Sequence, residues 1–215
     1  RCYNYGTFDF EQPNFLLKFC RGKLLYQLDV EPYRNFEYGN LQDRRPMQEQ
    51  FFNLTQSQKQ RIYDLLQENY KEENRSYKYD FFYDNCATRI RDIVKKTFPQ
   101  PIAWDSSGLA MGTTMRQLLK PYMATQPWTH LGMNLGLGYA ADRRALAEDF
   151  MFLPDHMHDM FGKARINDTA MMVLSERHFP ETPFALPEFK PGILDRPFWV
   201  LSLVALLVEL TGDRK

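Results

Sequence analysis

The chain has 215 residues, 44% of them hydrophobic and 15% aromatic, enough apolar side chain to fill one substantial domain or two small ones. Its 27 basic and 27 acidic residues cancel, and no long run of one sign stands out. That balance argues against a nucleic-acid binder and offers no solvating tail.

Taken in chain order, Arg1 to Phe10 already reads as folded sequence, with no initiator Met and no apolar leader, so the chain is expected to start within a larger protein. Residues 3–10 and 22–30 mix aromatics with alternating polar positions and predict two strands, separated by turn formers at 11–14. A polar connection follows. Thr55 and Gln58 then have the spacing of a capping box, and Ile62, Leu65, Leu66 and Tyr70 recur at helical intervals, predicting a helix over 56–73. Residues 73–85 are crowded with aromatic and charged groups, and their second half has strand-like composition. Asp84 and Asn85 are good N-cap residues for an amphipathic helix over 86–98, which carries Ile90, Ile93 and Val94 on one face and stops before Pro99.

Beyond 98 the pattern predicts a loop to 112, a helix over 113–123, a glycine-rich turn over 132–138, helices over 140–151 and 154–164, and a strand at 171–174. The glycine-rich run lacks both a preceding apolar strand and a Gly-Lys-Ser/Thr ending, so it is a connector and no phosphate loop. Pro197 to Val208 is the most apolar stretch, but Glu209 closes it well short of the roughly 20 residues a bilayer span requires. It reads either as a buried core element or as a juxtamembrane helix, which would make 1–195 one domain and 196–215 the start of a membrane-associated segment.

Three cysteines leave at least one thiol free. Cys2 and Cys20 could pair in an oxidising compartment, or be two small buried hydrophobes. Cys86 differs. It falls in the first turn of the 86–98 helix, where unpaired N–H groups and the macrodipole favour a thiolate and can stabilise an oxyanion. A cysteine at a helix start is usually a packing residue, yet Arg75, Tyr77, Tyr79, Asp80, Tyr83, Asp84 and Asn85 crowd polar groups around this one, a costly composition for a plain core element. His156 and His158, two apart on a predicted helix, point to different faces and do not suggest a shared metal.

The blocks Tyr-Asn-Tyr-Gly-Thr-Phe-Asp-Phe (3–10), Phe-Leu-Leu-Lys-Phe (15–19) with Arg21-Gly22, and Glu-Asn-Arg-Ser-Tyr-Lys-Tyr-Asp-Phe-Phe-Tyr-Asp-Asn-Cys-Ala-Thr-Arg (73–89) together resemble the N-terminal periplasmic domain of the Lnb family, the bacterial lipoprotein N-acyltransferases. The resemblance runs from residue 1 to about 185. It implies an α+β, permuted papain-like domain of the NlpC and lecithin:retinol acyltransferase kind, with an antiparallel sheet, the cysteine at a helix N-terminus and further C-terminal helices. It implies a thiol acyltransferase on the periplasmic side of the inner membrane that passes a fatty acyl chain from a phospholipid to a lipoprotein's α-amino group, with no metal or cofactor. The nucleophile is then Cys86, with Asn85, Thr88 and Arg89 in the same motif and Tyr5, Arg75, Tyr79 and Asp80 as supporting, oxyanion or substrate residues. In the family a histidine base lies on a strand just upstream of the 3–10 block. Here His130, His156, His158 and His178 all follow Cys86, so none of them is expected at its sulfur. A cysteine hydrolase of cell-wall peptides or lipids would carry the same nucleophile motif, and a non-catalytic lipid- or lipoprotein-binding module would make Cys86 a packing residue.

Overall fold

The computed structural model describes residues 1–8, 13, 18, 23–167, 170–179 and 192–212, and over these the chain is α+β with antiparallel strand pairing throughout. Two units are distinguished, Arg1–Met111 with Leu146–Phe184, and Gly112–Ala145 with Ala185–Lys215.

In the first unit β1 (Cys2–Phe8) pairs with β2 (Leu25–Glu31), Cys2 opposite Glu31 and Phe8 opposite Tyr26, with a register irregularity between Asn4 and Thr7. The short strand β4 (Ser76–Lys78) joins the far side of β2, giving the order β1-β2-β4. Among the described residues, then, β1 has β2 as its one partner. The alternation expected of a half-buried strand sends Tyr5, Leu28 and Tyr77 to one face, where they meet Ile93 and form a buried cluster. The helix α2 (Gln56–Tyr70) lays Ile62, Leu65 and Leu66 against that cluster. Its N-terminus is the expected box, with Thr55 accepting from Gln58 N at 3.3 Å and Gln58 Oε1 accepting from Thr55 N at 2.8 Å. The helix α3 (Cys86–Thr97) completes the layer. The short strands β5 (Ile102–Ala103), β6 (Arg165–Ile166) and β7 (Ala170–Met171) make a separate three-stranded ladder.

Several elements depart from the sequence expectation. The polar connection before Thr55 contains a helix, α1 (Tyr33–Gln42), and a strand, β3 (Met47–Phe52). None of the α1 residues is buried, so it carries little apolar periodicity to read. The partner of β3 is β8 (Val173–Phe179), more than 100 residues on, with Met47 opposite Phe179 and Glu49 opposite Arg177. Glu49 accepts from Arg177 Nη2 at 2.6 Å across this ladder. The strand placed at 171–174 is thus divided between β7 and β8. The strand-like half of 73–85 is mostly turn, the strand itself lying at 76–78. Of the first two predicted strands, residues 9, 10 and 22 lie outside the described residues, as do 11, 12 and 14 of the intervening turn and most of the 15–22 block.

The second unit holds α4 (Met115–Leu119), a 3-10 turn over Lys120–Met123, α5 (Pro127–Leu137) and α7 (Pro197–Gly212). The glycine-rich turn expected at 132–138 is the body of α5, which starts on Pro127 and ends at Gly138 with φ of 57°. Arg116 secures that end, donating to Asn134 O at 2.9 Å and Gly138 O at 2.6 Å, the last carbonyls that a helix leaves without partners. The helix expected over 140–151 is instead two 3-10 segments, Gly138–Asp142 and Ala147–Phe152. Between them the backbone bonds laterally, Met115 N to Arg143 O at 3.0 Å and Ala145 N to Thr113 O at 2.9 Å, which a continuous helix would forbid. The last of the expected helices is α6 (Pro154–Lys163) in the first unit. In α7 the core alternative gives way to exposure, since Leu201, Leu203, Val204, Leu206 and Leu207 are all more than half exposed. No helix among the described residues is long and apolar enough to cross a membrane.

Candidate functional site

A short strand, a tight turn and a capped helix set the position of Cys86. After β4, Asp80 closes the turn twice. Its Oδ1 accepts the N–H groups of Phe82 and Tyr83, both at 2.9 Å, and its backbone exchanges hydrogen bonds with that of Asp84, each 3.1 Å. An aspartate suits this position because its carboxylate satisfies the amides that a reversing chain leaves unpaired. Asn85 then caps α3. Its Oδ1 accepts from Thr88 N at 2.9 Å, and Thr88 Oγ1 accepts from Asn85 N at 2.8 Å. Its amide donates to Phe81 O at 3.0 Å and to Phe152 O at 2.9 Å, so a residue only 4% exposed has its polar atoms satisfied. Cys86 is the first residue of the helix so anchored.

One turn on, the Arg89 guanidinium grips Asp84 with two bonds, Nε to Oδ1 at 2.6 Å and Nη2 to Oδ2 at 2.7 Å, and lies 3.9 Å over the Tyr77 ring. The Tyr77 hydroxyl donates to the Tyr5 carbonyl, and the Tyr5 hydroxyl accepts from Asn69 Nδ2 at 2.7 Å. These bonds tie the sheet, α2 and α3 into one frame behind the cysteine.

The half-buried Cys86 packs on the cluster of Tyr5, Leu28, Tyr77 and Ile93, with Tyr26 and Tyr79 packed against the same cluster. Those last two rings stack with centroids 4.2 Å apart. Two influences act on the sulfur in opposite directions. Burial pushes the thiol pKa up, while the N–H groups of Ala87 and of Cys86 itself pull it down, and burial prevails. This corrects the sequence expectation that the helix start would favour the thiolate: a terminus contributes only about 0.3–1 kcal/mol, less than the cost of desolvating an anion against aromatic rings. Burial first and the nearby Cys86 second push the Tyr77 and Tyr79 hydroxyls far above the ordinary phenol range, and Tyr26 upward for the same two reasons. All three remain protonated donors at neutral pH.

Of the residues singled out from sequence, Cys86, Tyr5 and Tyr79 come together in this recess. Asn85, Thr88, Asp80 and Arg89 hold the turn and the helix that present it. Arg75 contributes its backbone carbonyl, which accepts from Leu28 N at 2.9 Å and helps fix the sheet. Tyr26 and Leu28, absent from the sequence assignment, join the same cluster from β2. Strand alternation could have flagged one face of β2, but not that Tyr26 would lie opposite Tyr77. The histidines within this unit lie elsewhere: His156 packs edge-on against Phe150, His158 sits 3.8 Å from both Asp159 and Glu176, and His178 is on β8 opposite Gln48. None of the groups acting on the Cys86 thiol is an imidazole. Among the described residues no group of His, Cys, Asp and Glu could hold a metal ion. Cys2 is a free thiol, and its possible partner Cys20 lies outside the described residues.

Fold and packing together define an α+β domain that presents a thiol at the head of a capped helix, against a tyrosine-rich core cluster. Residues 1–121 match the model of the Lnb N-terminal periplasmic domain, and the chain belongs to that family. No curated protein and no solved structure matches it.

Proposed function

We propose that the chain is the catalytic domain of a membrane-associated thiol acyltransferase, with Cys86 as nucleophile, a phospholipid as acyl donor and the α-amino group of a bacterial lipoprotein as acceptor, working on the periplasmic side of the inner membrane in a permuted papain-like domain. The observation that carries this is the placement of Cys86: a lone thiol at a helix head, its own N–H and that of Ala87 directed at the sulfur, walled by protonated tyrosines. Backbone N–H groups so aimed lie where the oxyanion of a tetrahedral intermediate would form. The Tyr79 hydroxyl is suited to add a third donor.

In the first half-reaction the sulfur attacks the donor's ester carbonyl. A C–S bond forms, the ester C–O bond breaks, and the thiol proton ends on the departing lysophospholipid hydroxyl. In the second, the acceptor amine attacks the thioester, the C–S bond breaks, and the amine's proton returns to the sulfur. Both halves need a proton carrier at a thiol that burial keeps protonated, the more so because its pKa is raised. The resemblance assigns that work to a histidine on a strand upstream of β1.

Cys86→Ala in the membrane-anchored enzyme tests the assignment. Acylation of a lipoprotein substrate should fall to background while the fold is retained, because the covalent route is gone. Near-normal transfer by that variant would refute the mechanism, and release of free fatty acid with no transfer would identify a hydrolase instead.

A further inference from the structure

Away from the tyrosine recess, the first unit contains a cleft of about 500 Å³ between β3 and α6. Alternate residues of β3, Gln48, Gln50 and Phe52, form one wall, and Met157, His158 and Phe161, at helical spacing on α6, form the other. Ile90 of α3 also lines it. Four residues after Cys86, it lies one helical turn, about 6 Å, along the same stripe of α3. The cleft therefore reaches to within about one turn of α3 from Cys86.

Its chemistry is distinct. Gln50 Nε2 donates to His158 O at 2.9 Å and to Glu176 Oε1 at 2.8 Å. Gly162 permits this crossing, because a Cβ there would meet both Gln50 Nε2 and Glu176 Oε1 at 3.3 Å. His158 Nε2 is buried without a hydrogen-bond partner, 3.8 Å from Glu176 Oε1. A buried nitrogen left so is costly unless something arrives to pair with it. The exposed amide of Gln48 can bond peptide groups, Phe52 and Phe161 can take an apolar side chain, and negative charge comes from Asp155 in the lining and from Glu176, which is held beside it by Gln50 and His158.

We propose that this cleft is the acceptor subsite, seating the extended segment that follows the reacting amino group of a polypeptide, with a preference for basic over acidic side chains. Its position beside Ile90 directs the amino end toward Cys86, and in that respect the proposal rests on the acyl-transfer reading above. Backbone groups of the segment pair with the Gln48 amide and the His158 imidazole. The Asp155 and Glu176 carboxylates set the charge preference.

The test uses the full chain and two fluorescein-labelled peptides, Cys-Gly-Ser-Lys-Lys-Gly and Cys-Gly-Ser-Glu-Glu-Gly, followed by fluorescence anisotropy. The lysine peptide should bind about tenfold more tightly than the glutamate peptide. Gln48→Lys should weaken the lysine peptide by about tenfold, and Asp155→Asn with Glu176→Gln should erase the preference, each with a Tm within about 2 °C of the parent. Equal affinity for the two peptides, no binding of either, or variants that bind like the parent would overturn the subsite. Acylation of Cys86 is scored separately, by mass, in the membrane-anchored enzyme supplied with phospholipid. Peptide binding without acylation defeats the acyltransferase and leaves a peptide cleft, whereas acylation without peptide binding defeats the cleft alone.

Discussion

Burial and hydrogen bonding at Cys86 and Asn85 make opposite demands, and each can be measured. The Cys86 thiol is pushed up by its aromatic surroundings, so the neutral form persists to higher pH than in a free cysteine. Alkylation of the 215-residue chain by iodoacetamide should accordingly rise with a midpoint above the ordinary value of about 8.5 for a free thiol, and a midpoint below it would show that the N–H groups outweigh desolvation. The sign for stability follows: a raised thiol pKa makes folding most favourable while the thiol is protonated, and that contribution fades as pH climbs through the folded value. Asn85 is the opposite case, a buried polar residue with every bond made. Asn85→Ala removes the cap and strands the carbonyls of Phe81 and Phe152, and should cost about 2–4 kcal/mol in urea unfolding. A loss below about 1 kcal/mol would mean that water substitutes for the amide.

Among the elements, α3 was the most legible and β3 the least. The helix could be placed from residues in contact along its own length: an asparagine cap, a threonine three residues on, and apolar positions repeating toward Ile93. The turn before it was less so, because the aromatic run 79–83 has strand-like composition and the bonds that close it are those of Asp80 to Phe82, Tyr83 and Asp84. By contrast, β3 offers Gln48, Glu49 and Gln50 in succession, and the glutamate is explained by Arg177, on a strand more than 100 residues away, together with the Tyr33 hydroxyl. Pairing across such a distance leaves no local periodicity; Tyr26 and Leu28 likewise reach Cys86 through strand pairing, whereas Tyr5 and Tyr79 lie in the blocks that carry the family resemblance. The two α5 glycines at 132 and 136 misled for a third reason: glycine costs a helix only about 1 kcal/mol, a penalty that neighbouring structure can override. Ile93, 7% exposed, is the α3 residue that belongs to the buried sheet cluster on which Cys86 packs. Ile93→Ala should therefore lower stability by about 2–4 kcal/mol, measured by denaturant midpoint, and also change the alkylation rate of Cys86. Loss of stability with unchanged alkylation would uncouple the recess from its floor.

On the scale of the whole molecule, α7 is unlike the other helices in being apolar on every side, with Phe198, Trp199, Leu203 and Val208 all more than half exposed. A helix with no polar face is an expensive object to leave in water, at roughly 25 cal/mol for each Å² of apolar surface. Its described 16 residues reach about 24 Å, and the lipid surface that the proposed reaction calls for would take their apolar area out of water. The full chain should co-float with phospholipid vesicles, and Leu203→Asp with Leu207→Asp should abolish flotation without altering the far-UV spectrum. Equal flotation of both proteins would remove α7 as the contact.

The amide bond from Asn85 to Phe152 also has a meaning in time. The first unit is assembled from Arg1–Met111 and Leu146–Phe184, so a ribosome that has made Cys86 and its helix has not yet made the carbonyl to which the cap is tied, nor the strand that pairs with β3. At roughly 5–20 residues per second, the cysteine-bearing turn waits several seconds, with one donor and one sheet edge bare, for the later segment to emerge. Nascent chains arrested after residue 111 should be cut readily by protease near Asn85, whereas chains arrested with residues 146–184 outside the tunnel should resist. For a thiol bound for an oxidising compartment, that interval is when it is most open to mispairing, and the arrival of Phe152 ends it.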